Sequence, residues 1–313
     1  MKKILPLGLV ITTLLLVVCC EENNNPSPPP PTPMQSDSLA LVDLYNATAG
    51  SAWTRKWTLT TPVHEWQGVT VANNRVTELR LSSNNLTGTL PERFGNLTAL
   101  RYCDLSRNNL SGAVPASINA LTKLLVFDIS FNNFTALPAF NTLTALEYLA
   151  FSKNNLSGNL PNLSALTNLI YLDASFNNFS GRIPSAWSSL TKMKILFLYK
   201  NSLSDYIPTC ITTFTALEAL ALDGNNLTGI IIPAFGNLPK LADLWLAQNQ
   251  LTGEIPNSLL SNSHWAVWKN DVCPQQSGYG FSNCTGSPAP TSTMNVKRSA
   301  ILEQAKEKYK TAL

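Results

Sequence analysis

The chain is poor in the residues that most reaction chemistry uses. It has two histidines, His64 and His264, and charged side chains make up 13% of its 313 residues. A formal net charge of +3 is too small to suggest the dense phosphate contacts that carry nucleic-acid binding, so no nucleic acid is expected as a partner. There is no Cys-x-x-Cys pair, no metal-ligand spacing around either histidine, no glycine-rich phosphate loop and no Ser-His-Asp arrangement. The one strongly apolar run, Ile4 to Val18, falls short of the ~20 residues that a spanning helix needs. These absences argue against an enzyme: no catalytic residue, no metal site and no cofactor is assigned.

What the chain has in abundance is one unit. The stretch from Val76 to Ala99, VTELRLSSNNLTGTLPERFGNLTA, returns seven more times, from Leu100, Leu124, Leu146, Leu169, Met193, Leu217 and Leu241. Six units have 24 residues, and those starting at Leu124 and Leu146 have 22 and 23. A fixed period in this range marks a solenoid. Positions 4 and 6 are apolar, which is strand alternation. Position 9 is always asparagine (Asn84, Asn108, Asn132, Asn154, Asn177, Asn201, Asn225, Asn249), a short side chain that both donates and accepts. Stacked once per coil, these amides form a ladder. Position 13 is glycine in six units, and a proline falls at or next to position 16 in all eight.

The form N-x-L-x-G-x-I-P, cleanest in Asn177 to Pro184, resembles the plant-specific class of leucine-rich repeat, found in plant receptor kinases, in polygalacturonase-inhibiting proteins and in bacterial surface proteins. The resemblance implies an α/β fold: a right-handed leucine-rich-repeat solenoid, or horseshoe. A parallel β-sheet would line its concave face, with irregular or 3-10 backbone on the convex side and about eight repeats plus caps. It says little about function, because the repeat is a scaffold.

Around the repeats the chain divides into further segments. Residues 1–19 read as an export signal, with Lys2 and Lys3 before the apolar run. The run ends at Cys19 and Cys20, and both registers resemble a bacterial lipobox, so lipidation is expected at Cys20 (or Cys19). An ordinary cleaved signal is the alternative. Residues 20–35 are a polar, then proline-rich tether. Acidic residues directly after the cysteine resemble the surface-export signal of Bacteroidetes lipoproteins. The implied location is therefore exported, lipid-anchored, on the outer-membrane surface of a Gram-negative bacterium. Residues 36–75 form an N-terminal cap with a helix from Ser36 and with Trp53, Trp57 and Trp66. The segment Trp66 to Val71 resembles the cap motif of plant-type repeat proteins without its cysteines, so aromatic packing should hold it. Residues 265–285 read as a decaying ninth unit, the C-terminal cap, with Cys273 and Cys284 as the candidate disulfide. Cys103 sits in a leucine slot, and Cys210 has no obvious partner.

Residues 286–313 are a linker and a basic helical tail. From Asn295 the tail carries five Lys/Arg against two Glu, over a thin apolar stripe of Val296, Ile301, Ala305 and Tyr309. It is expected to be solvated or loosely docked, and a basic helix could also bind a membrane surface or a partner.

The positions that vary between coils carry the functional reading. Position 3 holds Tyr102, Tyr148 and Tyr171; position 5 holds Asp104, Asp128, Asp173, Phe197 and Trp245; position 8 holds Phe131 and Phe176; Tyr199 departs from a run of serines at position 7. Stacked about 4.8 Å apart, these residues make an exposed aromatic and acidic band on the concave face, the expected partner-binding surface. The expected function is a cell-surface adhesion or protein-binding module whose partner is a protein ligand on a host or neighbouring cell. A glycan-binding module for polysaccharide uptake and an inhibitor of a secreted hydrolase are the alternatives. The membrane is met only through the lipid anchor.

Overall fold

The computed structural model describes residues 31–284, together with 297, 298, 300, 301, 303–305 and 307. The signal segment, Cys19, Cys20, most of the tether, the linker and the tail positions Val296 and Tyr309 lie outside the described residues.

Alternation at positions 4 and 6 produces the expected strands. Nine of them form one sheet. Val69–Ala72 pairs antiparallel with Arg75–Arg80, and the others follow parallel, one per coil, from Tyr102–Asp104 to Asp243–Trp245. Register is strict: position 3 faces position 3 and position 5 faces position 5, as in Tyr171↔Tyr148 and Asp173↔Ala150. Behind the sheet, Leu79, Leu81, Leu86 and their counterparts make one continuous apolar core along the whole stack.

The asparagines form the ladder. The Asn132 amide donates to the Leu105 carbonyl of the preceding coil at 3.0 Å and to the Ile129 carbonyl of its own at 3.1 Å. Its Oδ1 accepts from the preceding coil's Leu110 N–H at 3.0 Å. The same pattern recurs at Asn108, Asn154, Asn177, Asn201, Asn225 and Asn249. Beyond the last coil Gln275 takes the part, accepting from Leu251 N–H and donating to the Leu246 and Val272 carbonyls.

Away from the concave sheet, 3-10 turns follow the prolines, as in Glu92–Asn96 and Ser185–Ser189. A second strip of short parallel strands runs beside them, which was not expected on that side. The strip breaks between Asn133–Ala136 and Ser157–Asn159. The unit that breaks it is the 22-residue one, whose position 13 is Ala136 where most others have a glycine with positive φ, such as Gly112 at 75°. Without a residue suited to that left-handed turn, the strand cannot continue in register.

The N-terminal helix spans Pro33–Ala47 and starts before Ser36, because Thr32 and Gln35 close a capping box around Pro33. It is tied to the first coil by a buried carboxylate. Asp37 accepts from Arg75 Nε and Nη2, both at 2.9 Å, and from Val76 N–H at 2.8 Å. The three tryptophans pack with Tyr45 at ring-centroid distances of 4.8 to 6.0 Å, so aromatic packing holds this cap. At the other end, the helix Trp265–Val272 covers the last coil, and a Cys273–Cys284 disulfide closes the loop behind it. Cys103 and Cys210 are buried free thiols.

Candidate partner-binding face

Strict register turns each varying position into a column. In the position 3 column Tyr148 and Tyr171 stack in parallel with centroids 4.3 Å apart. Tyr171 meets Phe197 edge-on at 6.2 Å, and Phe197 meets Trp245 edge-on at 6.1 Å. The rings thus form a continuous band from the middle coils to the last one. Tyr102 continues it through Val126, under the guanidinium of Arg80 at 3.8 Å.

The band is not exposed, which corrects the expectation. Tyr102, Tyr148, Tyr171, Phe197 and Trp245 are all buried, and Tyr199 is half-buried. Two things cover them. Rings on adjacent coils shield one another, because the sheet spacing matches aromatic stacking distance. Over them lies the C-terminal tail. Burial pushes the Tyr148, Tyr171 and Tyr199 hydroxyls above the ordinary tyrosine range.

The aspartates at position 5 are also misplaced by the sequence reading. Asp128 and Asp173 are buried and Asp104 is half-buried. Each folds back on the serine two residues on. Asp173 Oδ1 accepts from Ser175 N–H at 3.0 Å and Ser175 Oγ–H at 2.6 Å, Asp104 does the same with Ser106, and Asp128 Oδ1 accepts from Ser130 N–H. These carboxylates stabilise the turn that ends each strand and are not a solvated acidic stripe. Burial raises the Asp173 pKa above the ordinary carboxylate value, against the pull of its hydrogen bonds.

Position 8 is where each chain leaves the strand. It is left-handed in all eight coils, with φ between 51° and 65°. A side chain bulkier than glycine costs about 1–2 kcal/mol there, yet only Gly224 avoids the cost. From Arg107 to Lys200 they project along the edge of the sheet as alternating cations and rings, with Ser83 and Gln248 at either end. Arg107 lies 4.3 Å from the Phe131 ring, and Lys153 lies 4.4 Å from Phe131 and 5.0 Å from Phe176. Phe176, at 38% exposure, is the aromatic of the expected set most open to solvent.

The residues missed from sequence are Asp223 and Asp243. Asp223 breaks the serine run at position 7, and that departure was the available signal. In the structure it grips the tail. Arg298 donates to Asp223 through Nη2 at 2.5 Å and Nη1 at 3.3 Å, and Lys297 pairs with Asp243. The Arg298 guanidinium lies between two rings, 4.1 Å from the centroid of Tyr199 and 4.7 Å from that of Trp245, and the residue is 4% exposed. Burial raises the Asp223 pKa and Arg298 draws it back. Beside the clamp a cleft of about 340 Å³ stays open, lined by Arg107, Phe131, Lys153 and Phe176 and by Arg298 and Glu303 of the tail.

Comparison with known families matches "Leucine rich repeat" to residues 74–134 and "Leucine Rich Repeat" to residues 168–190 and 216–238. The repeats are leucine-rich repeats. Over 75 residues the chain is 41% identical to a probable inactive receptor kinase of Arabidopsis thaliana, covering 23% of this chain and 11% of that protein. Among solved structures, the leucine-rich-repeat ectodomain of the Arabidopsis receptor kinase HAESA, in complex with an extended IDA peptide hormone, superposes with a TM-score of 0.61. Identity is 26%, over 74% of this chain and 44% of that one. The ectodomain of GASSHO1/SCHENGEN3 from Arabidopsis thaliana, in complex with CASPARIAN STRIP INTEGRITY FACTOR 2, gives a TM-score of 0.57 at 26% identity over 77% and 32%. The chain thus spans about a tenth of its curated relative and less than half of either ectodomain. Its fold is a leucine-rich-repeat solenoid of the α/β class.

Proposed function

We propose that this leucine-rich-repeat chain is a protein-binding module that takes a basic peptide segment of its partner along the concave sheet. The observation that carries the reading is the clamp on the last three coils. Asp223, beside Tyr199 and Trp245, holds one arginine by bidentate hydrogen bonds and between two ring faces, and Asp243 pairs with the lysine before it. The similarity to receptor ectodomains solved with peptide hormones supports a peptide as the ligand. A free glycan platform is less well supported, since the rings that would stack on sugars are buried.

The location fits the same reading as a proposal: an exported, lipid-anchored surface protein, acylated at Cys20 (or Cys19), with adhesion to another cell as its role. Among the described residues no helix is long and apolar enough to cross a membrane.

Selection of a random 12-residue peptide library on the immobilised full-length chain tests the binding mode. Enriched peptides should carry Lys or Arg and should lose at least tenfold in affinity for the Asp223→Asn/Asp243→Asn variant. Enriched peptides that bind both proteins equally would remove the concave clamp from the function.

A further inference from the structure

The clamp is already occupied, and by the chain itself. We infer that residues 297–307 are a tethered stand-in for the partner, so that the partner is an amphipathic basic helix of the same pattern and must displace the tail to bind. This rests on the protein-binding reading above.

The tail meets the face at three levels. Lys297 and Arg298 enter the carboxylates of Asp243 and Asp223. Ile301 packs on the cluster of Phe197, Ala219, Ala221 and Trp245. Ala305 packs on the cluster of Tyr102, Val126, Tyr148, Ala150 and Tyr171. The described residues of this segment are helical. Residues 298, 301 and 305 are spaced by three and four, so they share one helix face. The seven steps from residue 298 to residue 305 rise about 10 Å, roughly two coils at the ~4.8 Å strand spacing. The helix therefore runs against the order of the coils, its basic end over the last two and its small apolar residue over the middle ones. Mode of recognition and register both follow: a helix laid in a groove, read as Lys-Arg, then an apolar residue three places after the arginine, then a small one four places further.

The fit is graded in a way that suits an exchangeable occupant. At the charged end Arg298 is desolvated, while Lys297 keeps half of its side chain in solvent. The apolar end rests on an isoleucine and an alanine, both only partly buried. An outside helix that keeps the basic pair and sets a larger apolar residue in place of Ala305 gains contact where the tail has little. While the tail is docked, a partner's apparent affinity falls by the fraction of molecules left open.

The probe is a fluorescein-labelled synthetic peptide of residues 295–313, added to full-length protein. Wild type should bind it weakly. Full-length Ile301→Asp, whose own tail is loosened, should bind it at least tenfold tighter, and the double variant Ile301→Asp/Asp223→Asn should bind it at least tenfold more weakly than Ile301→Asp. A second readout needs no outside ligand. Trypsin should cut after Arg298 slowly in wild type, and at least tenfold faster in both Ile301→Asp and Asp223→Asn. Equal cleavage in all three proteins would overturn the tail's docking, even if library peptides bind the clamp. Protected cleavage with no binding of the 295–313 peptide to Ile301→Asp would overturn the shared partner pattern. Protection together with peptide binding, but no basic peptide from the library, would leave the docked tail standing and overturn the outside basic partner, both here and in the proposed function.

Discussion

At the scale of single residues, the fold rests on polar groups placed where water cannot reach. Each ladder asparagine joins two coils through carbonyls and an N–H that would otherwise be buried without partners, at about 1–3 kcal/mol for each group left unsatisfied. Asp173 is the less comfortable case. It is buried as a carboxylate whose hydrogen bonds only partly offset desolvation, and its folded pKa lies above the ordinary 3.8. The sign follows: the native state holds this proton more tightly than the unfolded chain. Its contribution to stability is full below pH 3.8 and is lost as pH rises through the raised value. Asp173→Asn keeps an oxygen for the Ser175 N–H and Oγ–H and removes the charge. The variant should therefore show a higher urea midpoint than wild type at pH 7, and the gap should close as pH falls toward 4. A midpoint below wild type at pH 7, or a gap that does not change with pH, would contradict the assignment. The ladder was legible in the sequence because every coil repeats the same residue for the same bonds. The role of Asp173 was not, because an aspartate at a strand position looks the same whether it faces water or its own turn.

At the scale of elements, two junctions decide where the regular structure starts and stops. Ala136 and a 22-residue unit interrupt the second strip of strands without disturbing the concave sheet, since the two sheets are set by different positions of the repeat. The N-terminal helix is held by packing of Leu41 and Leu44 and by Asp37, fully buried against Arg75 and the Val76 N–H. Asp37→Ala leaves the Val76 N–H without its acceptor and Arg75 with only Thr98 Oγ1 and the Asn96 carbonyl, and should destabilise the protein by about 1–3 kcal/mol. Because coils couple mainly to their neighbours, amide exchange in that variant should speed up first at Ala40 to Leu44 and least at Leu172 and Leu196. Uniform acceleration would mean that the solenoid unfolds as one unit. The helix itself was readable in the sequence, but its start was not: Ser36 was expected to open it, and Thr32 with Gln35 caps it so that it begins at Pro33, three residues earlier. Its anchor was not, because Asp37 and Arg75 lie far apart in sequence and neither belongs to a recurring pattern.

At the scale of the whole described unit, the C-terminal end does two jobs. The Trp265–Val272 helix shields the last coil: Trp268 is buried and its Nε1 donates to the Ala242 carbonyl at 3.0 Å, while the Cys273–Cys284 bond ties down the loop that follows. That last coil also carries Asp243 and Trp245, half of the clamp on the tail. The apolar stripe of Ile301 and Ala305 was visible in the sequence, but its destination was not, since the surface it meets is assembled from residues on separate coils. Cap and clamp should therefore weaken together. Replacing both cysteines, Cys273→Ser/Cys284→Ser, removes the constraint on a short loop and should cost about 2–3 kcal/mol. In a stack coupled by neighbours, that loss falls mainly on the last coils. Amides of Leu244 and Leu246 should exchange faster while that of Leu149 keeps its protection, and tryptic cleavage after Arg298 should accelerate although no tail residue has changed. Faster exchange at Leu246 with unchanged cleavage would show that Asp223 and Tyr199, one and two coils further in, hold Arg298 without help from the cap.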